Sequence, residues 1–239
     1  MKILILGASG ATGKLVTMQF VKRKINVRIL VRENAFLPKE ILESANVEIL
    51  KGNICDFNNE QILSLLKDCT AVISCLGHNI TFKGIFGKPH YLVYSTIKKI
   101  CEAIEKNESS LKKIILMSTT AYTNKDNGEK NKVGEKIIFA LLMLLLPPHK
   151  DNMRAGKYLN RKIGKKISNI EWVAVRPDTL FNEEVESKYN IYESLIRSPM
   201  FNAGKTSRIN VSHFMAELIN NEELWEKWKY KMPVIYNEE

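Results

Sequence analysis

Three glycines spaced three apart, Gly7, Gly10 and Gly13 in ILILGASGATGKLV (residues 3–16), stand between an apolar run and the start of a helical pattern. A chain that turns here can lay its backbone against a phosphate. Gly7 permits the sharp turn off a strand, Gly10 lets backbone approach a pyrophosphate, and Gly13 lets the helix pack closely on the sheet. The helix N-terminus then offers unpaired N–H groups and the positive end of its dipole. Ser9, Ala11 and Thr12 complete the turn, the two hydroxyls serving as further donors or as helix caps. ATP-type readings fail on spacing. A Walker loop has four residues between its glycine and the following Gly-Lys, then a Ser or Thr for magnesium. Five residues lie between Gly7 and Gly13-Lys14, and Leu15 holds the hydroxyl position. Gly204-Lys205-Thr206 would need a glycine where Pro199 stands.

The turn therefore reads as a dinucleotide site. Nicotinamide cofactors divide after the second strand, where an acid holds the ribose 2′-OH and an arginine accommodates a 2′-phosphate. There NVRILV is followed by Arg32 and then Glu33. Arginine comes first, which favours NADP, while Glu33 keeps NAD open.

The elements that must position this turn are legible as apolar runs: KILIL (2–6), VRILV (27–31), VEIL (47–50), AVISC (71–75), KIILM (113–117) and WVAV (172–175). Each is short and rich in Ile, Val and Leu, as strands buried on both faces of a parallel sheet should be. Segments with helical spacing lie between them. The alternation predicts right-handed crossovers and an α/β, Rossmann-type, doubly wound parallel sheet. It fades after residue 120. Residues 1–239 read as one NAD(P)-binding domain, in which about 178–239 form a small substrate-covering region without its own core.

Composition bounds the rest. An apolar content of 45% suffices for a core, and the net charge of +10 attracts polyanions in general without choosing among them. Nucleic acid has no other support. Cysteines 55, 69, 75 and 101 form no CxxC pair and no secretory signal opens the chain, so four reduced thiols in a cytoplasmic protein are expected. IIFALLMLLL (137–146) is ten residues long, short of the roughly 20 needed to span a membrane. No metal-ligand pattern stands out. The apolar helix is a candidate for core, lid or homodimer contact.

Taken together, GASGATG, VRE after the second strand, KGNICD (51–56), ISCLG (73–77), LMSTTAY (116–122) and VAVRPDTL (173–180) resemble the short-chain dehydrogenase/reductase superfamily. More narrowly they are similar to its atypical NmrA-like, NAD(P)H-binding branch, often labelled epimerase-like or flavin-reductase-like. The resemblance covers nearly the whole chain, including GKTSRINVSHF (204–214). It implies that Asn53 and Ile54 sit beside the adenine, Asn53 replacing the family's acid. It also implies that Cys75, Leu76 and Gly77 run under the adenine ribose and phosphates. His78 reads as an ordinary loop histidine.

In this superfamily a Ser or Thr after the fifth strand and a Tyr-x-x-x-Lys on the next long helix transfer a proton to a carbonyl. Lysine lowers the tyrosine pKa, and the spacing puts both on one helix face. Ser118 and Thr119 hold the hydroxyl position. Tyr158-Leu-Asn-Arg-Lys162 matches the letters, yet Lys162 lies only 14 positions before Arg176. The register that restores the family's longer gap makes Lys157 the ribose-contacting lysine and puts Met153 in the tyrosine slot. That register is preferred here. Tyr122 is a weaker substitute, more simply read as a core residue with a polar tip. Hydride transfer needs mainly a well-placed nicotinamide, and a flavin or quinone can take its proton from solvent. The resemblance thus implies an NADPH-dependent reductase of a flavin, quinone or small carbonyl. Its alternative is a non-catalytic NADP(H)-sensing regulator.

Overall fold

Six of the strands are parallel, and all but the one at the sheet edge bury both faces. In the computed structural model, which describes residues 1–78, 90–107, 110–130, 134, 135, 138 and 147–238, they are β1 (Lys2–Leu6), β2 (Asn26–Val31), β3 (Val47–Lys51), β4 (Ala71–Ser74), β5 (Lys112–Met117) and β6 (Ile170–Pro177). They stand in the order β3-β2-β1-β4-β5-β6. The period of two sends alternate side chains to opposite faces. Ile3, Ile5, Ile29, Ile73, Ile115 and Val173 join one core cluster, while Leu4, Leu6, Leu30, Val72, Ile114 and Trp172 join the other.

The first face is covered by α1 (Ala11–Lys22), α6 (Arg208–Asn220) and α7 (Glu222–Trp228), through Val16, Phe20, Phe214, Leu218, Trp225 and Trp228. On the second lie α3 (Asn59–Leu66), α4 (Leu92–Lys106) and α5 (Pro147–Tyr158). A single turn, α2 (Lys39–Leu42), adds Ile41 to the first cluster. Arg28, on the second face of β2, is buried and donates to the carbonyls of Ser64, Leu65 and Lys67. A cation is well placed there, at the negative end of α3.

Residues 178–238 add β7 (Thr179–Phe181), β8 (Tyr189–Tyr192), β9 (Lys205–Ser207) and β10 (Val234–Asn237). β10 extends the main sheet parallel to β6, β8 follows it antiparallel, and β7 pairs β9 separately. The segment thus completes the sheet and shares the common core. Trp225 and Trp228 are buried as the docking residues of α7. All four cysteines are free thiols. Apart from Ile138, the apolar run 137–146 lies outside the described residues. Among the described residues no helix is long and apolar enough to cross a membrane.

Beyond the C-terminal end of β6 the loops are held by a buried ion pair. Arg176 has no exposed side-chain surface, and Glu129 is 5% exposed. The guanidinium meets both carboxylate oxygens, Nη1 to Oε2 at 2.8 Å and Nη2 to Oε1 at 2.7 Å. Its remaining donors reach the carbonyls of Met232 and Tyr122 at 2.7 and 2.9 Å. Glu129 also accepts from the N–H groups of Asn124 and Leu195. Four separate stretches of chain are thereby tied to one charge pair. Removing one member leaves the other buried and uncompensated, so Arg176→Met is expected to lower the unfolding free energy by about 3–5 kcal/mol in urea titration. Arg176→Met with Glu129→Leu should recover much of that loss.

Candidate functional site

The backbone around the glycine turn leaves no room for side chains. Gly7 has φ +78°, and a Cβ there would lie 2.6 Å from the carbonyl oxygen of Cys75. At Gly13 a Cβ would lie 2.0 Å from the oxygen of Gly7. Helix α1 is thus seated on the turn, with its N-terminus at the carboxyl ends of β1 and β4, which are paired through Leu6 and Ser74.

That N-terminus is left unfinished. Asn58 caps α3, Ser207 caps α6 and Asn221 caps α7, each accepting a backbone N–H. The N-cap of α1 is Gly10, with no side-chain cap and no acid in the first turn. Gly10 and Ala11 are exposed, Ser9 is half-buried, and Thr12 is buried beneath them. The first N–H groups of a helix have no partner within it, so an uncapped, accessible start with positive dipole suits an anion. The observation meets the requirement of a dinucleotide pyrophosphate.

Arg32 follows β2 and is exposed, and no described residue bonds its side chain. Glu33 beside it faces Lys51 at 3.8 Å. The β2–β3 register, Val31 opposite Lys51, carries the next stretch, Gly52 to Ile54, along the same rim. Asn53 is partly spent on its own turn: Oδ1 accepts from Cys55 N, and Nδ2 donates to Asp56 at 3.0 Å. One amide hydrogen remains for a base edge. Ile54 is buried in the core below. Cys75 is buried, with its thiol pushed up to about 12 by desolvation. Leu76 is half-buried, and Gly77 is exposed with open space where a Cβ would be.

At the end of β5 Ser118 is buried, and its Oγ has no hydrogen-bond partner among the described residues. It lies 3.3 Å from where a Cβ on Gly156 of α5 would be. Small residues let helix and strand end meet here. Thr119 accepts from Ala121 N through its hydroxyl, within its own turn. Lys157 is exposed one position after Gly156. Met153 is half-buried against the second core cluster.

Tyr158 turns elsewhere. Its ring packs edge-on against Tyr94 of α4 at 5.8 Å, and desolvation raises its phenol well above the ordinary tyrosine range. A π-turn, Leu159–Ile163, begins at the next residue. The α-helical spacing that would bring Lys162 over Tyr158 is therefore interrupted. Tyr122 is buried too, its phenol raised by desolvation against a hydrogen bond with Asn160. Arg161 pairs with Asp126 at 3.2 Å, and Lys162, Lys165 and Lys166 are exposed as a solvated face. Among the described residues no three His, Cys, Asp or Glu side chains gather as a metal site.

One residue escaped sequence reasoning altogether. Asp151 on α5 is fully buried and accepts the N–H groups of Val93 and Tyr94 at 2.8 and 2.9 Å, capping α4 from outside. It also meets His78 Nε2 at 2.9 Å. His78 and Asp151 are 73 positions apart, and no spacing rule links them.

A family profile described as NAD(P)H-binding matches residues 7–222. The chain belongs to this NAD(P)H-binding family. No curated protein matches the chain. Solved structures of this fold are numerous. A short-chain dehydrogenase/reductase of Veillonella parvula DSM 2008, solved with NADP, is 16% identical with a TM-score of 0.69, covering 99% of this chain and 94% of its own. A candidate NADH-flavin reductase of Streptococcus pneumoniae TIGR4 is 16% identical with a TM-score of 0.71 over the full length of both chains. The anaerobilin reductase of Escherichia coli O157:H7 is 14% identical with a TM-score of 0.66, covering 99% and 97%. These likenesses establish the fold. In an NAD(P)H-binding protein of this architecture the glycine turn holds the pyrophosphate.

Two variants probe this geometry. Gly13→Ala forces helix from turn, so it should lower the melting temperature and abolish dinucleotide binding in calorimetric titration. Tyr158→Phe should leave NADPH affinity within about twofold of the parent, because its ring packs on Tyr94.

Proposed function

We propose that this protein is an NADPH-dependent reductase acting on a flavin, quinone or small carbonyl. The observation that carries the reading is the uncapped N-terminus of α1 over the three-glycine turn, with Arg32 exposed beside it. Backbone N–H groups of residues 11–13 hold the pyrophosphate, that of Gly10 being donated to the Gly7 carbonyl. Arg32 pairs with the 2′-phosphate through charge-assisted hydrogen bonds, which its planar fork suits. Glu33, facing Lys51, does not compete for it. Asn53, Ile54, Cys75, Leu76 and Gly77 line the adenosine half. Lys157 contacts the nicotinamide ribose, and Ser118 offers a free hydroxyl to the nicotinamide end.

When bound, the reduced nicotinamide supplies hydride. The chain's part is to hold that ring and the acceptor together, to exclude water and to manage one proton. Tyr158 does not serve as that proton donor in this reading, because its half-buried ring packs edge-on against Tyr94 of α4. The reductases among the structural neighbours agree with the reading. A regulator that binds NADP(H) without turnover is the competing view, and it predicts binding with no acceptor.

The test is a titration with NADPH and NADH, followed by an acceptor screen on the same sample. NADPH should bind tighter, and Arg32→Ala should weaken it by about tenfold or more while leaving NADH unchanged. Equal affinities, insensitive to Arg32, remove the 2′-phosphate assignment. NADPH binding with no oxidation by any flavin, quinone or aldehyde removes the reductase.

A further inference from the structure

We propose that His78 donates the proton of the reaction, oriented by Asp151, and that its acceptor is a molecule whose reduction ends on oxygen, a carbonyl or a quinone. The inference rests on the reductase reading and narrows its acceptor.

His78 follows the exposed Gly77 at the carboxyl end of β4, the strand between β1 with its glycine turn and β5 with Ser118. The residue therefore lies beyond the carboxyl end of β4 between its two neighbours, with its side chain only 7% exposed. Asp151 fixes it. Both carboxylate oxygens of Asp151 accept backbone N–H groups, Oδ2 from Val93 and Oδ1 from Tyr94, and Oδ2 also meets His78 Nε2. A carboxylate only accepts, so the Nε2 that meets Oδ2 is the nitrogen that carries the hydrogen. Nδ1 has no hydrogen-bond partner among the described residues. The arrangement is a ring anchored by one nitrogen to a buried carboxylate, with its second nitrogen left for other use. A carboxylate behind the ring fixes its orientation and tautomer, the role a carboxylate plays behind a catalytic histidine elsewhere.

The surroundings are not those of an ordinary helix contact. Ser118 Oγ and Asn152 Oδ1 are buried without partners among the described residues. Asn152 is next to Asp151, and Ser118 lies against Gly156 one turn along the same helix. Unsatisfied buried oxygens are costly and call for a ligand. A tyrosine is missing from this end of the site, and the His78–Asp151 pair supplies the chemistry that it would have supplied.

In the proposed step, hydride from the reduced nicotinamide bonds to the carbonyl or quinone carbon framework, and the C=O π pair moves to oxygen. The proton on Nδ1 of imidazolium His78 bonds to that oxygen, the N–H pair stays on the ring, and solvent returns a proton to Nδ1. Asp151 remains a positioning residue throughout.

The experiment combines activity with a readout that needs none. In the cofactor-free wild type, 15N NMR of His78 should show the Nε2–H tautomer at pH values where the ring is neutral, and a Nδ1–H tautomer overturns the proposal. In kinetics with a quinone and an aldehyde, His78→Asn should lower kcat by about 10²–10⁴-fold, with KM and NADPH affinity nearly unchanged. Added imidazole should restore part of the rate to His78→Ala. Asp151→Asn should lower kcat and disturb the tautomer signature of His78. If the wild type turns over while His78→Asn keeps its kcat, the pair is structural and the reductase reading stands. If the wild type binds NADPH but reduces neither acceptor class, the proposal fails; reduction of a flavin in the same assay then keeps the reductase reading alive.

Discussion

One contact between backbones governs the arrangement: the start of α1 lies so close to the turn after β1 that a single added carbon on Gly13 would overlap the carbonyl of Gly7. Close packing at this point sets the height of α1 on the sheet and aims its free N–H groups across the strand ends. The carbonyl of Cys75 closes the turn from the other side, linking β4 to the same geometry. Each residue assigned to the phosphates and the adenosine half is placed by this seat or by the strand register that extends from it. The anion site is thus a by-product of packing that forbids side chains, rather than a collection of charged groups.

The other end of the cleft is built on a different principle. Where glycine and backbone suffice around the phosphates, the loops beyond β5 and β6 depend on buried charge. Arg176 and Glu129 gather residues 122–129, 193–195 and 232, of which Tyr122 and Met232 also reach the second core cluster. Asp178 adds a second node. Its carboxyl, which burial pushes up against opposing hydrogen bonds, accepts from the N–H groups of Thr179 and Gly204. Such pairs favour definite geometry more than stability, since the desolvation of each partner offsets much of the attraction.

The sequence disclosed the two kinds of construction unequally. The six apolar runs mark β1–β6, because strands buried on both faces, and even the half-buried edge strand β3, are dominated by Ile, Val and Leu. The glycine turn was equally plain, its spacing being the direct trace of steric exclusion. β8 and β10 were not recognised: YNIY is half-exposed and VIYN lies after a helix, so neither repeats the earlier alternation. Tyr158 and Lys162 had matching letters, but the π-turn between them is a backbone event with no residue signature. His78 looked like a loop histidine because its significance resides in Asp151, a residue that resembles a solvated helix-start acid until α4 is seen above it. Side-chain partnerships across distant elements are created by topology, and one sequence records them only as isolated polar residues.

The placement of α6 and β10 has a bearing on how the molecule comes into being. The face of α1 opposite the turn is covered by α6, with Arg23 bound to Glu217 at 2.7 Å and Phe20, Phe214 and Leu218 in one cluster. β10 supplies the strand on which β8 pairs. Helix α1 is therefore completed by a segment 194 positions away at the Arg23–Glu217 contact, a very long sequence separation. Until residues 208–237 have emerged, the glycine turn can form locally but its helix has no lid over its apolar side. Dinucleotide binding thus depends on residues 208–237 as well as on the turn, and a nascent molecule lacking them would expose Phe20 and the first face of the sheet in place of a cofactor site.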